Sequence, residues 1–217
     1  MAHLSGVPKL KQEVPSFHMN NTLNENLESI LSLEITDERK AILQPLIDYI
    51  KSKREKEQPV RLNFICTHNS RRSQFAQIWA QTAADYFQLA AQCYSGGVEV
   101  TACNERTVAS LTRMGFIVSK HGHSNPIYFV LHTEDARPIN VFSKLYDDVI
   151  NPHTSFATVM TCSHADENCP FIPGAESRIP VRYEDPKAFD DTDQEAAMYD
   201  ERSRQIASEM FYVFSRV

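Results

Sequence analysis

The chain has 217 residues, 42% of them hydrophobic, and a formal net charge of −6, which suits one globular domain with a sizeable core. The acidic balance argues against nucleic acid or a membrane surface as partner, because both draw on basic surface, yet it leaves a small oxyanion substrate open. Five cysteines, an odd number, argue against a disulfide scaffold and toward reduced thiols, and with no signal-peptide-like start and no long apolar run the expected location is cytoplasmic.

Residues 1–57 are polar with two helical patterns. Leu23, Leu27, Ile30 and Leu31 recur at helical spacing, and Ile42, Leu43, Leu46, Ile47 and Ile50 form a second stripe, with Asp37 as the expected cap and a basic run from Lys51 at the far end. This predicts an N-terminal helical extension that packs on the main domain or on a second copy, giving a possible homodimer through these residues. From Val60 onward short β-rich runs alternate with helical patterns, the texture of a parallel α/β sheet. A strand is expected over Val60 to Ile65 and a helix from about Ser70 to Phe87. A second strand, AAQCYS, ends at Gly96-Gly97, and a helix runs from an Asn104 cap to Gly115. IYFVLHTEDARPINVFS reads as two strands joined by a polar turn, FATVMTC and ESRIPVRY as further strands. The last helix is expected to open on a capping box made by Thr192 and Glu195.

The stretch FICTHNSRRSQ carries the chemistry. A strand, a short loop and a helix N-terminus in succession leave unpaired N–H groups and the positive end of the helix dipole pointing at one place, which is an anion site. Cys66 opens that loop, where the same field favours its thiolate. Arg72 adds a planar fork of donors for a tetrahedral oxyanion, Ser73 can donate a hydrogen bond to the thiolate, and Asn69 can hold the tight curve. The loop Thr67, His68, Asn69, Ser70, Arg71, Arg72 is the expected oxyanion-binding element.

CTHNSRRSQ resembles the phosphate loop of low-molecular-weight protein tyrosine phosphatases and of the thioredoxin-coupled arsenate reductases built on the same fold. YSGGVE is similar to the turn after that family's second strand, and NERTVASLTRMGF to the helix that follows. The resemblance covers about residues 60 to 217 and implies a three-layer, flavodoxin-like α/β domain over residues 58–217, with a central parallel sheet that binds its ligand at the carboxyl ends of the strands.

VMTCSHADENCPFIPG separates the two branches. Cys162 closes an apolar strand and Cys169 follows seven positions later with a proline behind it, a spacing that resembles the reductases; a phosphatase needs one cysteine only. The resemblance implies attack of Cys66 on arsenate, displacement of arsenite by Cys162, resolution by Cys169, and reduction of the resulting disulfide by thioredoxin. Seven residues of helix separate Cα atoms by roughly 10 Å, beyond disulfide reach, so a Cys162–Cys169 bond requires that segment to unwind. Asp185-Pro186 in YEDPKAF resembles the family's Asp-Pro loop, whose acid protonates a leaving group in either branch.

Other readings stay open at this level. Hydrolysis of phosphate monoesters through a Cys66 phosphocysteine is the alternative, and a non-catalytic oxyanion-sensing module is a second. Cys162, His164 and Cys169 with His153 or His68 could be read as zinc ligands, although structural zinc pairs usually sit two to four residues apart; no metal and no cofactor is expected. Cys93 and Cys103 carry no motif and read as packing residues. The chain departs from the family at His68, where glycine is frequent, at Arg71, where many members have a second cysteine, and at Gln77, where some reductases place a glutamate that helps bind potassium.

Overall fold

The structure, a computed structural model, describes residues 19–168 and 171–217. Four strands, β1 (Val60–Cys66), β2 (Ala91–Gly97), β6 (Phe156–Met160) and β7 (Ala175–Pro180), form a parallel sheet in the order β2-β1-β6-β7. Strand alternation divides the side chains between its faces. Leu62, Phe64, Ala157 and Val159 join the large core on one side, while Ile65, Phe156 and Met160 enter a smaller cluster on the other with Cys66 and Cys162.

Helices α1 (Asn21–Leu31), α2 (Asp37–Glu55), α3 (Arg72–Tyr86), α4 (Glu105–Met114) and α6 (Glu195–Ser215) belong to the large core. Trp79 of α3 is its largest side chain, stacked edge-on against Phe116 and Phe211 and satisfied through its indole N–H by Ser203 at 2.9 Å. The second face is covered by the short helix α5 (Ser163–Asn168) and by an irregular segment in which Asn151 donates to Ser95 O and Tyr146 O accepts from Asn63. The expected parallel α/β architecture with flanking helices is thus present, its second layer made largely of loop.

Leu23, Leu27 and Ile30 of α1 and Leu43, Leu46, Ile47 and Ile50 of α2 lie buried in the same core as α6 and the sheet. Ile42 and Leu31 do not: both stand exposed, one residue off the buried stripe. Thr36, not Asp37, caps α2, accepting from Arg39 N–H at 3.2 Å; Asp37 sits in the first turn, where its charge favours the dipole. Asn104 and Gly115 do flank α4, with Gly115 left-handed at φ 104°.

One strand went unpredicted and one cap needs correcting. The two strands expected in IYFVLHTEDARPINVFS are present, as β4 (Ile127–Leu131) and β5 (Ile139–Val141), but a further strand, β3 (Ile117–His121), precedes them, and the three make a separate antiparallel sheet in the order β3-β4-β5. Being an exposed edge with no buried residue, β3 lacked the apolar alternation that marks a strand. The capping box at Thr192 is also absent, since α6 begins three residues later, at Glu195 itself, whose carboxylate instead accepts the Asp191 N–H at 2.7 Å.

Candidate active site

Every carbonyl of the loop after β1 is turned outward and tied. Thr67 O accepts from the N–H groups of Val98 and Glu99, Asn69 O from the Gln74 amide at 2.8 Å, Ser70 O from Asn104 N–H at 3.0 Å and Arg71 O from Phe75 N–H at 3.0 Å. His68 O accepts from Ser143 Oγ at 2.7 Å. By contrast, none of the N–H groups of Thr67 to Arg71 donates to a protein acceptor among the described residues. Fixing the acceptors on the outside forces the donors inward, and with the start of the 15-residue α3 behind them they form an anion nest.

Asn69 makes the curve possible. It is buried with φ 47°, a left-handed conformation that asparagine tolerates, and its Oδ1 accepts the Lys144 N–H while its Nδ2 donates to Ser73 Oγ at 2.9 Å. Ser73 Oγ also lies 3.1 Å from Cys66 Sγ, where its hydroxyl can donate to a thiolate. Gly97 closes the back: a Cβ there would lie 2.7 Å from Asn69 N and 2.9 Å from His68 C. The Gly96-Gly97 turn is therefore a packing requirement of the loop.

Arg72 lies over the nest, its Nη2 bonded to Asp185 Oδ2 at 2.7 Å and its Nη1 to Tyr183 O at 3.1 Å, while the buried Nε has no partner. An orphaned buried donor beside a ring of free N–H groups is what an oxyanion would satisfy. Asp185 also caps the 3-10 turn Pro186–Phe189 through Lys187 N–H, so the Asp-Pro segment is both a turn and a carboxylate at the loop's edge. Arg71 points the other way, its Nε bonded to the Tyr199 hydroxyl at 2.8 Å and its Nη2 3.5 Å from Asp190. Of the loop's two arginines, Arg72 is the one with a buried nitrogen that has no partner. Arg71 and His68, with Arg106 and Lys187, line an open cleft of about 530 Å³ beside the loop.

Cys162 shares a buried cluster with Cys66, together with Ile65, Met160 and Ala165. The hydroxyl of Thr67 stands 3.5 Å from Cys162 Sγ, which also accepts the Ala165 N–H at 3.4 Å. Cys169 lies outside the described residues. Cys93 and Cys103 are packed in the large core, and burial pushes the Cys103 thiol up to about 12. No group of three or more potential ligands that could hold a metal occurs among the described residues; nor does any described helix have the length and apolarity to cross a membrane.

Two features were not legible in the sequence. Gln77 takes the Ser95 hydroxyl at 2.6 Å, and beside that serine lies the buried ammonium of Lys144, 3.4 Å from Ser95 Oγ and over the ring of Phe142. Burial pushes Lys144 down to about 8. A positive charge is thus built in under the loop, on a residue whose N–H also holds Asn69. The second is His164, whose Nδ1 is 3.3 Å from Thr67 Oγ1. Neither lies in a local motif, since Lys144 meets Asn69 across 75 residues of chain and His164 meets Thr67 across 97.

No family model matches the chain. Among solved structures, it is similar to a low-molecular-weight protein tyrosine phosphatase from T. tengcongensis (TM-score 0.47, 12% identity, 73% of this chain and 99% of that one) and to a thioredoxin-dependent arsenate reductase from Corynebacterium glutamicum (TM-score 0.39, 19% identity, 88% and 84%). Among curated proteins, an arsenate reductase of Staphylococcus epidermidis is 32% identical over 124 residues, 57% of this chain and 76% of that protein, and one of Staphylococcus aureus is 31% identical over the same span. With that identity extending over three quarters of a curated relative, the chain belongs to the arsenate reductase family.

Proposed function

We propose that this protein reduces arsenate to arsenite by a relay of three thiols. Cys66 attacks arsenic held by the loop N–H groups and Arg72. A sulfur–arsenic bond forms, and a hydroxyl departs as water with a proton from Asp185. Cys162 then attacks the Cys66 sulfur: the disulfide forms, the sulfur–arsenic bond breaks, and its electron pair stays on arsenic, which leaves as arsenite. Cys169 attacks Cys162, freeing Cys66, and a thioredoxin-type dithiol reduces the Cys162–Cys169 disulfide. Helix α5 occupies the residues between those two cysteines, so the last exchange requires it to unwind.

The observation that carries this reading is the placement of Cys162 in one buried cluster with Cys66, touching the side chain next to it. Single-ester hydrolysis has no use for a second thiol there. In a single turnover of fully reduced protein, wild type should release about one arsenite per chain and lose two thiols, whereas Cys162→Ser should stall with arsenic bound. Arsenite release by Cys162→Ser at the wild-type rate would falsify the relay.

A phosphatase activity is the second reading, favoured by the Asp185 carboxylate 2.7 Å from Arg72, where it can protonate an ester oxygen. Arsenate and phosphate share shape and charge, so the two activities can coexist in one loop. Among the described residues of 1–57, Leu31, Leu33 and Ile42 are the large apolar side chains left exposed and so available to a homodimer contact.

A further inference from the structure

The two N-terminal helices precede the strand and loop that carry Cys66, yet one of their side chains reaches the segment that aims Arg72. That segment, residues 181–185, joins β7 to the Asp-Pro turn without regular structure. Val181 and Tyr183 are buried, whereas Arg182 and Glu184 between and beyond them are exposed. Two backbone bonds tie it to the end of β6, Val181 N–H to Met160 O at 2.9 Å and Tyr183 N–H to Thr161 O at 3.1 Å. From the same segment come both groups that hold the tips of Arg72, Tyr183 O on Nη1 at 3.1 Å and Asp185 Oδ2 on Nη2 at 2.7 Å. A planar guanidinium held at both tips has its orientation fixed, and with it the direction of Nε. Where Tyr183 sits therefore decides where the remaining donor of Arg72 points.

Tyr183 is clamped from α2. The Arg39 guanidinium lies over the Tyr183 ring, 4.7 Å from its centroid. A two-point pair with Glu209 of α6 holds it there, Nε to Oε1 and Nη2 to Oε2, both at 2.8 Å. The Glu209 side chain is only 2% exposed and also accepts from Gln205 Nε2 at 3.0 Å, so the far end of the clamp is locked in the core. We infer that Arg39 is a positioning residue for the oxyanion site: by clamping the Tyr183 ring it holds in place the carbonyl that orients Arg72. The N-terminal extension thus has a part in the site besides burying apolar surface. The inference rests on the role proposed above for Arg72 as a ligand of the oxyanion.

The test is the affinity of the full-length chain for inorganic phosphate, measured by calorimetry. Arg39→Lys keeps a charge for Glu209 but loses the planar face and the two-point pair, and affinity should fall about 10-fold, the size of one weakened hydrogen bond to a charged group. In an Arg72→Lys background the same change should alter affinity by less than about twofold, because the donor that Arg39 aims is already gone. Thermal unfolding reports on the fold. If Arg39→Lys is too unstable to measure, Arg39→Gln combined with Glu209→Gln leaves no buried charge unpaired and should give the same two results. Wild-type affinity in a folded Arg39 variant overturns the inference. So does an equal loss in both backgrounds, which is what a general loosening of the core would give. If Arg72→Lys alone binds phosphate as tightly as wild type, the role of Arg72 itself fails and the inference falls with it.

Discussion

The loop after β1 and the segment after β6 both lead from a strand of the same sheet into a helix, and they are held in opposite ways. Around Cys66 each loop carbonyl has a protein donor, Asn69 is locked from two sides, and Gly97 leaves no room behind. After Cys162 the helix is six residues long, and its ties to β7 and the residues just beyond run to two arginines, through the Asp166 carboxylate to Arg178 and Arg182 and through the Ala165 and Asp166 carbonyls to Arg178. Burial works to raise the Asp166 carboxyl, but hydrogen bonds from Arg182 and Arg178 prevail and hold it below the usual range. Both arginines are a third or more exposed, so such pairs are worth about 1 kcal/mol or less each. An oxyanion site must keep its shape through the reaction, whereas a relay thiol must leave its place. The difference in tethering matches the difference in task.

The sharpest way to break the rigid half is Gly97→Ala. The added methyl meets backbone at 2.7 Å, so the loop must shift, and oxyanion affinity measured by calorimetry with phosphate or arsenate should fall by about 100-fold or more. Retention of wild-type affinity would show that the loop is far softer than its hydrogen bonds imply. Next in size, Arg72→Lys keeps the charge but loses the fork and the buried Nε, and turnover should drop by roughly 10- to 100-fold.

Lys144 tests whether the charge under the loop is maintained at the expense of stability. Its ammonium titrates at about 8 against an ordinary 10.5. Below about pH 8 the folded chain therefore carries a charge that burial disfavours, at a cost of about 3 kcal/mol. Between about 8 and 10.5 the unfolded chain holds a proton that the folded chain has released, so stability rises with pH across that window. Lys144→Met should be more stable than wild type in urea at pH 7, with the advantage shrinking toward zero above pH 10.5, and should bind oxyanion more weakly. A variant less stable than wild type at pH 7 would mean that the ammonium is better satisfied than its single hydroxyl contact suggests.

The smallest effect is expected in the loosely held half. Asp166→Asn removes the ion pairs between α5 and its two arginines while leaving the bonds from Arg178 to the Ala165 and Asp166 carbonyls, and global stability should fall by about 1 kcal/mol or less. Formation of the Cys162–Cys169 disulfide should speed up several-fold, because less has to be broken for the segment to unwind. Slower disulfide formation would place Asp166 in guiding the segment, not in restraining it.

What the sequence by itself determined lies within short reach along the chain. Cys66, Asn69, Arg72 and Ser73 share one strand-loop-helix unit, whose backbone geometry follows from local rules, so their gathering at one loop could be read before any fold was known. The alternation of Leu62, Phe64 and Val159 and the caps Asn104 and Gly115 are local in the same sense. Position β3 was missed because an exposed edge strand carries no apolar period, and the capping box failed because Glu195 found a backbone partner before the helix began. Only the tertiary structure decided which distant residues complete the site. Lys144 under Asn69, Gly97 behind it, Asp185 on Arg72, and His164 against Thr67 are joined by the parallel crossovers that carry successive strand ends to one edge of the sheet. Such contacts depend on strand order and register, which are set by the packing of the whole core and leave no trace in the spacing of nearby residues.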